Sequence, residues 1–259
     1  MNKLSEAFSS SSNSDPIAAL LLCGGKGSRF VDITQDQIPK SLTKVAGKTL
    51  LQHSTDLLVD SRFSTVYLLT GHHADQVQDW AAVNLTHKKV VAVEQTEPGV
   101  RGALKAGMLA MQETSAVIMN TDELRVGFDL HMLVDDFETR QRQAVMLASR
   151  EQQLFRHRLL KINEDNILID SELKPLRFRD DDQEVGLVNA GLTMVSKDAM
   201  GHMSETDGND WGSLIEPLTR LGKIAVHHQP GVRYFNVGTP DEYAEANNYF
   251  ADTFFAKAS

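Results

Sequence analysis

A single cysteine, Cys23, occurs in 259 residues, so no intrachain disulfide can form, and that usage fits a reducing compartment. Long apolar runs are also missing. The longest near the N-terminus, Ile17 to Cys23, is too short to span a bilayer. No basic segment leads into a signal-length apolar stretch, so no secretory signal is read and the cytoplasm is the expected compartment. Positive charge is scarce: 26 Lys and Arg face 35 Asp and Glu, for a formal net charge of -9. That balance excludes a general affinity for nucleic acid or anionic membrane, both of which need a basic surface. It leaves room for small phosphorylated ligands, which need only a local basic pocket. Zinc-type ligand spacing is lacking too. The adjacent pairs His72-His73 and His227-His228 are expected to point to opposite sides of a strand rather than to chelate one metal. Nothing in the sequence specifies an oligomeric state.

What is present is an ordinary globular composition, 41% hydrophobic and 24% charged, in a chain long enough to bury a core without staples. Residues 1–15 read as a polar tail built around the serine run Ser9 to Ser12. Residues 16–252 read as one domain, and 253–259 as a closing tail. Candidate strands are Ile17–Leu22, Thr65–Thr70, Lys89–Glu94, Ala116–Asn120 and Ala144–Ser149. Helical patterns lie between them near Thr49–Asp60, Ala74–Asn84, Gly102–Gln112 and Leu130–Arg140. The first four strands are nearly continuous apolar runs, as expected when helices cover both faces. This alternation predicts a three-layer α/β/α fold around a mixed, mostly parallel sheet. Beyond residue 150, strands are expected at His157–Ile162, Leu187–Val195, Ile224–His228 and Arg233–Val237, with helices at Asp210–Leu221 and Pro240–Phe250. This half is expected to add strands to the sheet and to close over its carboxyl edge, where open α/β sheets bind ligands.

The strongest local signal follows the first strand: Cys23-Gly24-Gly25-Lys26-Gly27-Ser28-Arg29-Phe30. Three glycines let the backbone turn sharply and approach a ligand, and successive N–H groups can cradle phosphate. Lys26 and Arg29 add charge, and Ser28 adds a hydroxyl. The dinucleotide fingerprint fails, because Phe30 stands where its third glycine belongs, and the P-loop spacing fails too. A glycine-rich turn without a ligand is the plain alternative. Ten residues on, Pro39 stiffens the chain before Lys40. A surface lysine in solvent is the competing reading of that pair alone.

Together these segments resemble the sugar nucleotidyltransferases, also called nucleoside-diphosphate-sugar pyrophosphorylases. The family pattern is matched at Gly24, Gly25, Gly27, Ser28, Arg29, Phe30, Pro39, Lys40, Val45, Gly47 and Lys48, with Thr49 replacing the usual proline. The resemblance continues through Gly71–Val77, the base-side loop Glu97–Leu104, the strand Ala116–Asp122, the stretch Val188–Leu192 and the closing segment Phe235–Tyr243. It covers about residues 17–250 and implies a Rossmann-like nucleotide-diphospho-sugar transferase fold.

The implied reaction is attack of a sugar 1-phosphate on the α-phosphorus of a nucleoside triphosphate, with Mg2+ as cofactor and pyrophosphate as leaving group. The resemblance implies that Cys23, Gly24, Gly25, Lys26, Gly27, Ser28 and Gly102 bind the nucleotide. It places Arg29 at the leaving pyrophosphate, Lys40 near the α-phosphate and Asp122 on the metal. A turn or capping aspartate is the alternative for Asp122. Asn189 and Gly191 would contact the sugar, although Asn189 could equally satisfy backbone at a strand bend. The sugar phosphate would take Lys174, with Arg177 and Arg179 as competitors. The run Asp180-Asp181-Asp182 reads as a solvated loop.

Three departures from the family stand out. Thr121 replaces a glycine before Asp122 and is expected to add bulk near the nucleotide. Asn236 stands where the second metal-binding aspartate belongs; it can ligate through its carbonyl but brings no charge, and Asp241 could substitute only if the chain folds back. In the base-side loop Arg101 either contacts the base or is solvated. The chain looks like a short, core-only member. A nucleotide-binding protein with little turnover, or a transferase using a non-sugar phosphate such as phosphocholine, are the rival readings.

Overall fold

Six apolar residues, Ile17–Leu22, form β1 at the centre of the protein, described here from a computed structural model over residues 15–59, 62–95, 97–151, 158–173, 186–207 and 209–258. The serine-run tail and the stretch holding Lys174, Arg177, Arg179 and Asp180–Asp182 lie outside the described residues. After β1 come a 3-10 turn at Ser28–Phe30, α1 (Val31–Thr34) and a second 3-10 turn at Lys40–Leu42. A small hairpin of β2 (Lys44–Val45) and β3 (Lys48–Thr49) leads into α2 (Leu50–Thr55). The chain then alternates: β4 (Phe63–Thr70), α3 (Ala74–Asn84), β5 (Lys89–Glu94), α4 (Gly99–Ala110) and β6 (Ser115–Asn120). β7 (Glu123–Val126), α5 (Leu130–Arg140), β8 (Ala144–Glu151), β9 (Arg158–Ile162), β10 (Leu168–Leu173) and β11 (Gly186–Ser196) follow. The chain closes with α6 (Lys197–Met200), α7 (Gly212–Arg220), β12 (Ile224–His228), β13 (Arg233–Asn236) and α8 (Pro240–Ala258).

Nine strands make the main sheet, in the order β10-β9-β11-β6-β1-β4-β5, with β8 joined to β11 and β12 to β8. The β5-β4-β1-β6 half is parallel, and β11 joins it antiparallel. β1 shows why its sequence is unbroken by polar residues. Its alternate side chains Ile17, Ala19 and Leu21 enter the core on one face, and Ala18 and Leu20 enter the core on the other. Helices α3 and α5 cover the first face, and α4, α6 and α7 the second. Among the described residues no helix is long and apolar enough to cross a membrane.

Several expectations change. β5 is an edge strand whose residues are only half-buried or exposed, so its apolar run is not covered on both faces as β1 is. α2 stops at Thr55, short of the expected Asp60, because the chain turns there to bury Leu58. α4 begins at Gly99, so Gly102 lies in its first turns rather than in a loop. β13 does not join the main sheet. It pairs with β7, a strand the sequence reading missed, in a separate two-stranded sheet. α8 runs to Ala258, beyond the expected Phe250 and into the expected tail, because no glycine or proline interrupts it. Finally, His72 and His73 are not in a strand. They sit in the turn before α3, with His73 at φ 56, and both rings reach Asp36.

The carboxyl ends of β1 and β4 touch through two glycines. A Cβ on Gly71 would lie 2.8 Å from the Gly24 carbonyl oxygen, and one on Gly24 would lie 3.0 Å from the Gly71 nitrogen. Both neighbours are backbone, so a methyl must push the two loops apart. Gly71→Ala is therefore expected to destabilise by about 1–3 kcal/mol in denaturant unfolding, with the m-value unchanged.

Candidate active site

β1 and β6 run parallel and end level, with Leu22 opposite Asn120. The loops that leave them, Cys23–Ser28 and Thr121–Asp122, therefore emerge side by side at the carboxyl edge of the sheet. There they border a cleft of about 400 Å³, within the usual range for small-molecule sites. Of the nucleotide-binding candidates, Gly24, Gly25, Gly27 and Ser28 line it, together with Arg29, Lys40, Asp122 and Asn236. Gly27 adopts φ 60, a left-handed turn that glycine takes without penalty, and this turn opens the short helix carrying Arg29.

Lys40 is held rather than floating. Pro39 precedes it in an extended conformation, a 3-10 turn follows, and its ammonium lies 5.4 Å from the centre of the buried Phe30 ring. Its Nζ donates to Asp122 Oδ2 at 2.7 Å, with the lysine side chain only 12% exposed. Asp122 is brought to Asn236 by the backbone, because Val237 N donates to the Asp122 carbonyl at 2.9 Å. The Asn236 amide nitrogen donates to Glu242 Oε1 at 3.4 Å. Asp241 is exposed at the start of α8 and does not line the cleft.

Behind Asp122 lies a buried ion pair. Glu123 Oε2 accepts from Arg125 Nη2 at 3.0 Å, Glu123 Oε1 accepts from Asn120 at 2.8 Å, and Arg125 Nε donates to the Ala190 carbonyl at 2.6 Å. Burial pushes the Glu123 carboxyl up, to about 7, against the opposing pull of Arg125. Burial also pushes the nearby Tyr234 hydroxyl well up. Gly191 makes room for this pair: at φ +64, a Cβ there would overlap the Glu123 carboxylate.

Residues 19–195 match the family model for the MobA-like NTP transferase domain, more than half of the chain. The chain belongs to that family. It is 25% identical over 243 residues to the bifunctional protein GlmU of Methanocaldococcus jannaschii, covering 90% of this chain and 54% of that protein. The chain thus spans about half the length of this relative. It is 23% identical to the D-glycero-alpha-D-manno-heptose 1-phosphate guanylyltransferase of Campylobacter jejuni, over 70% of this chain and 76% of that one. The crystal structure of UDP-glucose pyrophosphorylase complexed with UDP-glucose superposes with a TM-score of 0.76 at 18% identity, covering 92% of this chain and 99% of that chain. That match shows the fold.

Not every expected residue of this NTP transferase domain reaches the cleft. Lys26 is exposed and does not line it. Gly102 is buried in α4 for packing: a Cβ would lie 2.1 Å from the Glu97 carbonyl oxygen. Cys23 lines the cleft, but its amide donates to Leu69 O at 2.9 Å and so belongs to the sheet. Asn189 and Gly191 do not line the cleft, and Asn189 Oδ1 accepts from Gly191 N at 2.8 Å, the strand-bend alternative. Thr121 does line the cleft, as its expected bulk there requires, and its hydroxyl also donates to Leu22 O at 2.7 Å, tying β6 to β1. Arg101 does not line the cleft, and its side chain, 19% exposed, is largely taken up by protein partners. Its Nη1 donates to the Glu205 carbonyl at 2.9 Å and its Nη2 lies 3.6 Å from Glu97.

Lining residues to which the sequence reading gave no role include Ser41, Gln95, Asn120, Glu123 and Trp211. Trp211 Nε1 donates to Asn120 Oδ1 at 3.1 Å, a contact across 91 positions with no local signal. Ser41 carried one, its place next to Pro39-Lys40. Its Oγ is buried without a hydrogen-bond partner among the described residues.

Two expected outcomes follow. Arg125→Leu leaves the Glu123 carboxylate unpaired and should destabilise by about 3–5 kcal/mol in denaturant unfolding. Burial raises the Cys23 thiol from 9.0 to about 12, so the folded state disfavours the thiolate. Thiol reagents at mildly alkaline pH should label Cys23 only after unfolding. The thiol's share of stability should be intact below pH 9.0 and be lost as pH rises toward about 12.

Proposed function

We propose that this protein joins a sugar 1-phosphate to a nucleoside triphosphate, forming a nucleotide sugar and releasing pyrophosphate. The observation that carries the reading is the Lys40–Asp122 pair, set between a glycine-rich loop and Asn236 at one sheet edge. Both reactants are anionic, so the site must offset their repulsion, and cations with fixed N–H donors do so without reorganising. The GlmU and guanylyltransferase relatives point the same way.

In this reading the amides of Gly24 to Ser28 cradle the triphosphate. Arg29 grips the departing pyrophosphate through its planar fork. Lys40 lies against the α-phosphate, and the unpartnered Ser41 hydroxyl donates to a phosphate oxygen. An oxygen of the sugar phosphate attacks the α-phosphorus as the bond from that phosphorus to the bridging oxygen of the β-phosphate breaks in line. The attacking monoester is already ionised, so no protein base is needed. The donor set of one carboxylate, Asp122, and one amide oxygen, Asn236, suits Mg2+, which completes its shell with phosphate oxygens and water. That ion would supply charge neutralisation at the phosphates. The lysine expected at the sugar phosphate, Lys174, belongs to this proposal through the resemblance alone. Asn189 and Gly191 would shape the sugar side indirectly, through the bend they form beside Glu123.

Asn236 favours one alternative, a nucleotide-binding protein with slow turnover, because a neutral ligand holds a divalent ion more weakly than a carboxylate does. Pyrophosphate release, measured across the common nucleoside triphosphates with a panel of sugar 1-phosphates and phosphocholine, separates the readings. One pair should turn over well above an Asp122→Ala control. Lys40→Ala and Arg29→Ala should each lower turnover by at least about tenfold. Release with phosphocholine alone would move the acceptor out of the sugars. Nucleotide binding without release from any pair would replace the transferase with the binding protein.

A further inference from the structure

Outside the cleft, three metal-binding side chains converge from two separate loops. Asp36 lies on the segment between α1 and Lys40, and His72 and His73 lie in the turn after β4. His72 Nε2 is 2.6 Å from Asp36 Oδ1, and His73 Nε2 is 3.4 Å from the same oxygen. One ligand atom from each of the three residues lies within 4.8 Å of the others. The imidazole rings sit 4.0 Å apart between centroids. Among the described residues this is the one such grouping of three, and none of the three lines the cleft.

The geometry points to a second metal site, in which Asp36, His72 and His73 bind a borderline divalent ion of the Zn2+ class. Two imidazoles and a carboxylate match that class, whereas Mg2+ prefers oxygen. Tetrahedral Zn2+ with bonds of about 2.0–2.1 Å sets its ligand atoms roughly 3.3 Å apart. The His73 to Asp36 separation already has that value, and the His72 contact, now a hydrogen bond, has to open slightly. The chain is bent to bring the groups together: Gln35, Asp36 and His73 all adopt left-handed φ values of 50, 54 and 56. None is glycine, and such conformations persist where the surroundings enforce them.

The protons can be accounted for. His72 Nε2 gives up the proton it shares with Asp36, which passes through solvent to Nδ1 of the neutral ring or, from a doubly protonated ring, is released to water. His73 Nε2 now contacts the Asp36 carbonyl oxygen at 3.0 Å, and its Nδ1 lies 3.4 Å from the Gln76 amide nitrogen. Metal on Nε2 places the proton on Nδ1, and because the Gln76 amide nitrogen is held by its bond to the Gln37 carbonyl at 2.9 Å, that Nδ1–H has to turn to water. The ion would cross-link the approach to Lys40 to the turn beside the Gly24–Gly71 contact. The site does not depend on the proposed reaction.

The test uses the full chain, stripped with chelator and titrated with Zn2+ against a chromophoric competitor. One Zn2+ per chain is expected, with imidazole scattering at about 2.0 Å in X-ray absorption of the wild-type protein. His72→Ala and His73→Ala should each weaken binding by at least about tenfold, as should Asp36→Asn. Asp122→Ala should leave it intact. The side chains are 61%, 33% and 21% exposed for Asp36, His72 and His73, so the variants should fold, with circular dichroism as the check. Zn2+ should raise the unfolding temperature of the wild type and not of the His72→Ala, His73→Ala double variant. The proposal is overturned if the wild type takes up no Zn2+, if its shell lacks imidazole, if the double variant binds as the wild type does, or if binding is lost in Asp122→Ala instead.

Discussion

The parallel pairing of β1 with β6 is the constraint on which the site rests. With Leu22 level with Asn120, the glycine-rich loop and Asp122 have to leave the sheet side by side. The Thr121 hydroxyl locks that alignment by donating to Leu22 O at 2.7 Å. A slip of one residue would turn every side chain of β1 to the other face, and both faces are already filled by core. Burial on both sides of the sheet therefore secures the position of the charged groups at its edge.

A second layer of support is electrostatic. Lys40 and Asp122 pair with each other, so each charge has an opposite partner at the sheet edge. Glu123 and Arg125 lie deeper, where desolvation is costly and only a complete set of hydrogen bonds makes a charged pair tolerable. Asn120, the Ala190 carbonyl and the bend at Gly191 complete that set. The small β7-β13 sheet carries this pair and also brings Asn236 to Asp122, so one short element organises both sides of the candidate metal position.

The legible parts of the fold were those with strong local signals. β1, β5, α3, α5 and β12 lie where hydrophobic patterning placed them. β7 escaped because Glu123–Val126 holds two charged residues in four, and its strand character comes only from pairing with β13. The cleft residues Gly24, Gly27, Arg29, Lys40 and Asp122 were legible because they fall in three short segments with local signals. Gln95 and Trp211 were not, because each reaches the cleft from an element whose position depends on the whole sheet. His72 and His73 were misplaced because neighbours in sequence diverge only in a strand, and these two stand in a left-handed turn.

By itself the sequence determined the layered α/β architecture, the absence of disulfide bonds and the anionic surface, all of which follow from composition and periodicity. It also marked out the glycine-rich loop and Lys40 that line the cleft, because glycine spacing and a proline-held lysine act locally. Tertiary structure alone decided which of those groups share a cleft. It assigned the Cys23 amide to the sheet, the Asn189 side chain to its own backbone and Arg101 to Glu205 and Glu97. The reason is physical: a polar group's role depends on which partner lies within about 3 Å of it. For each of these groups, that partner was set by strand register or loop path rather than by the group's own residue type.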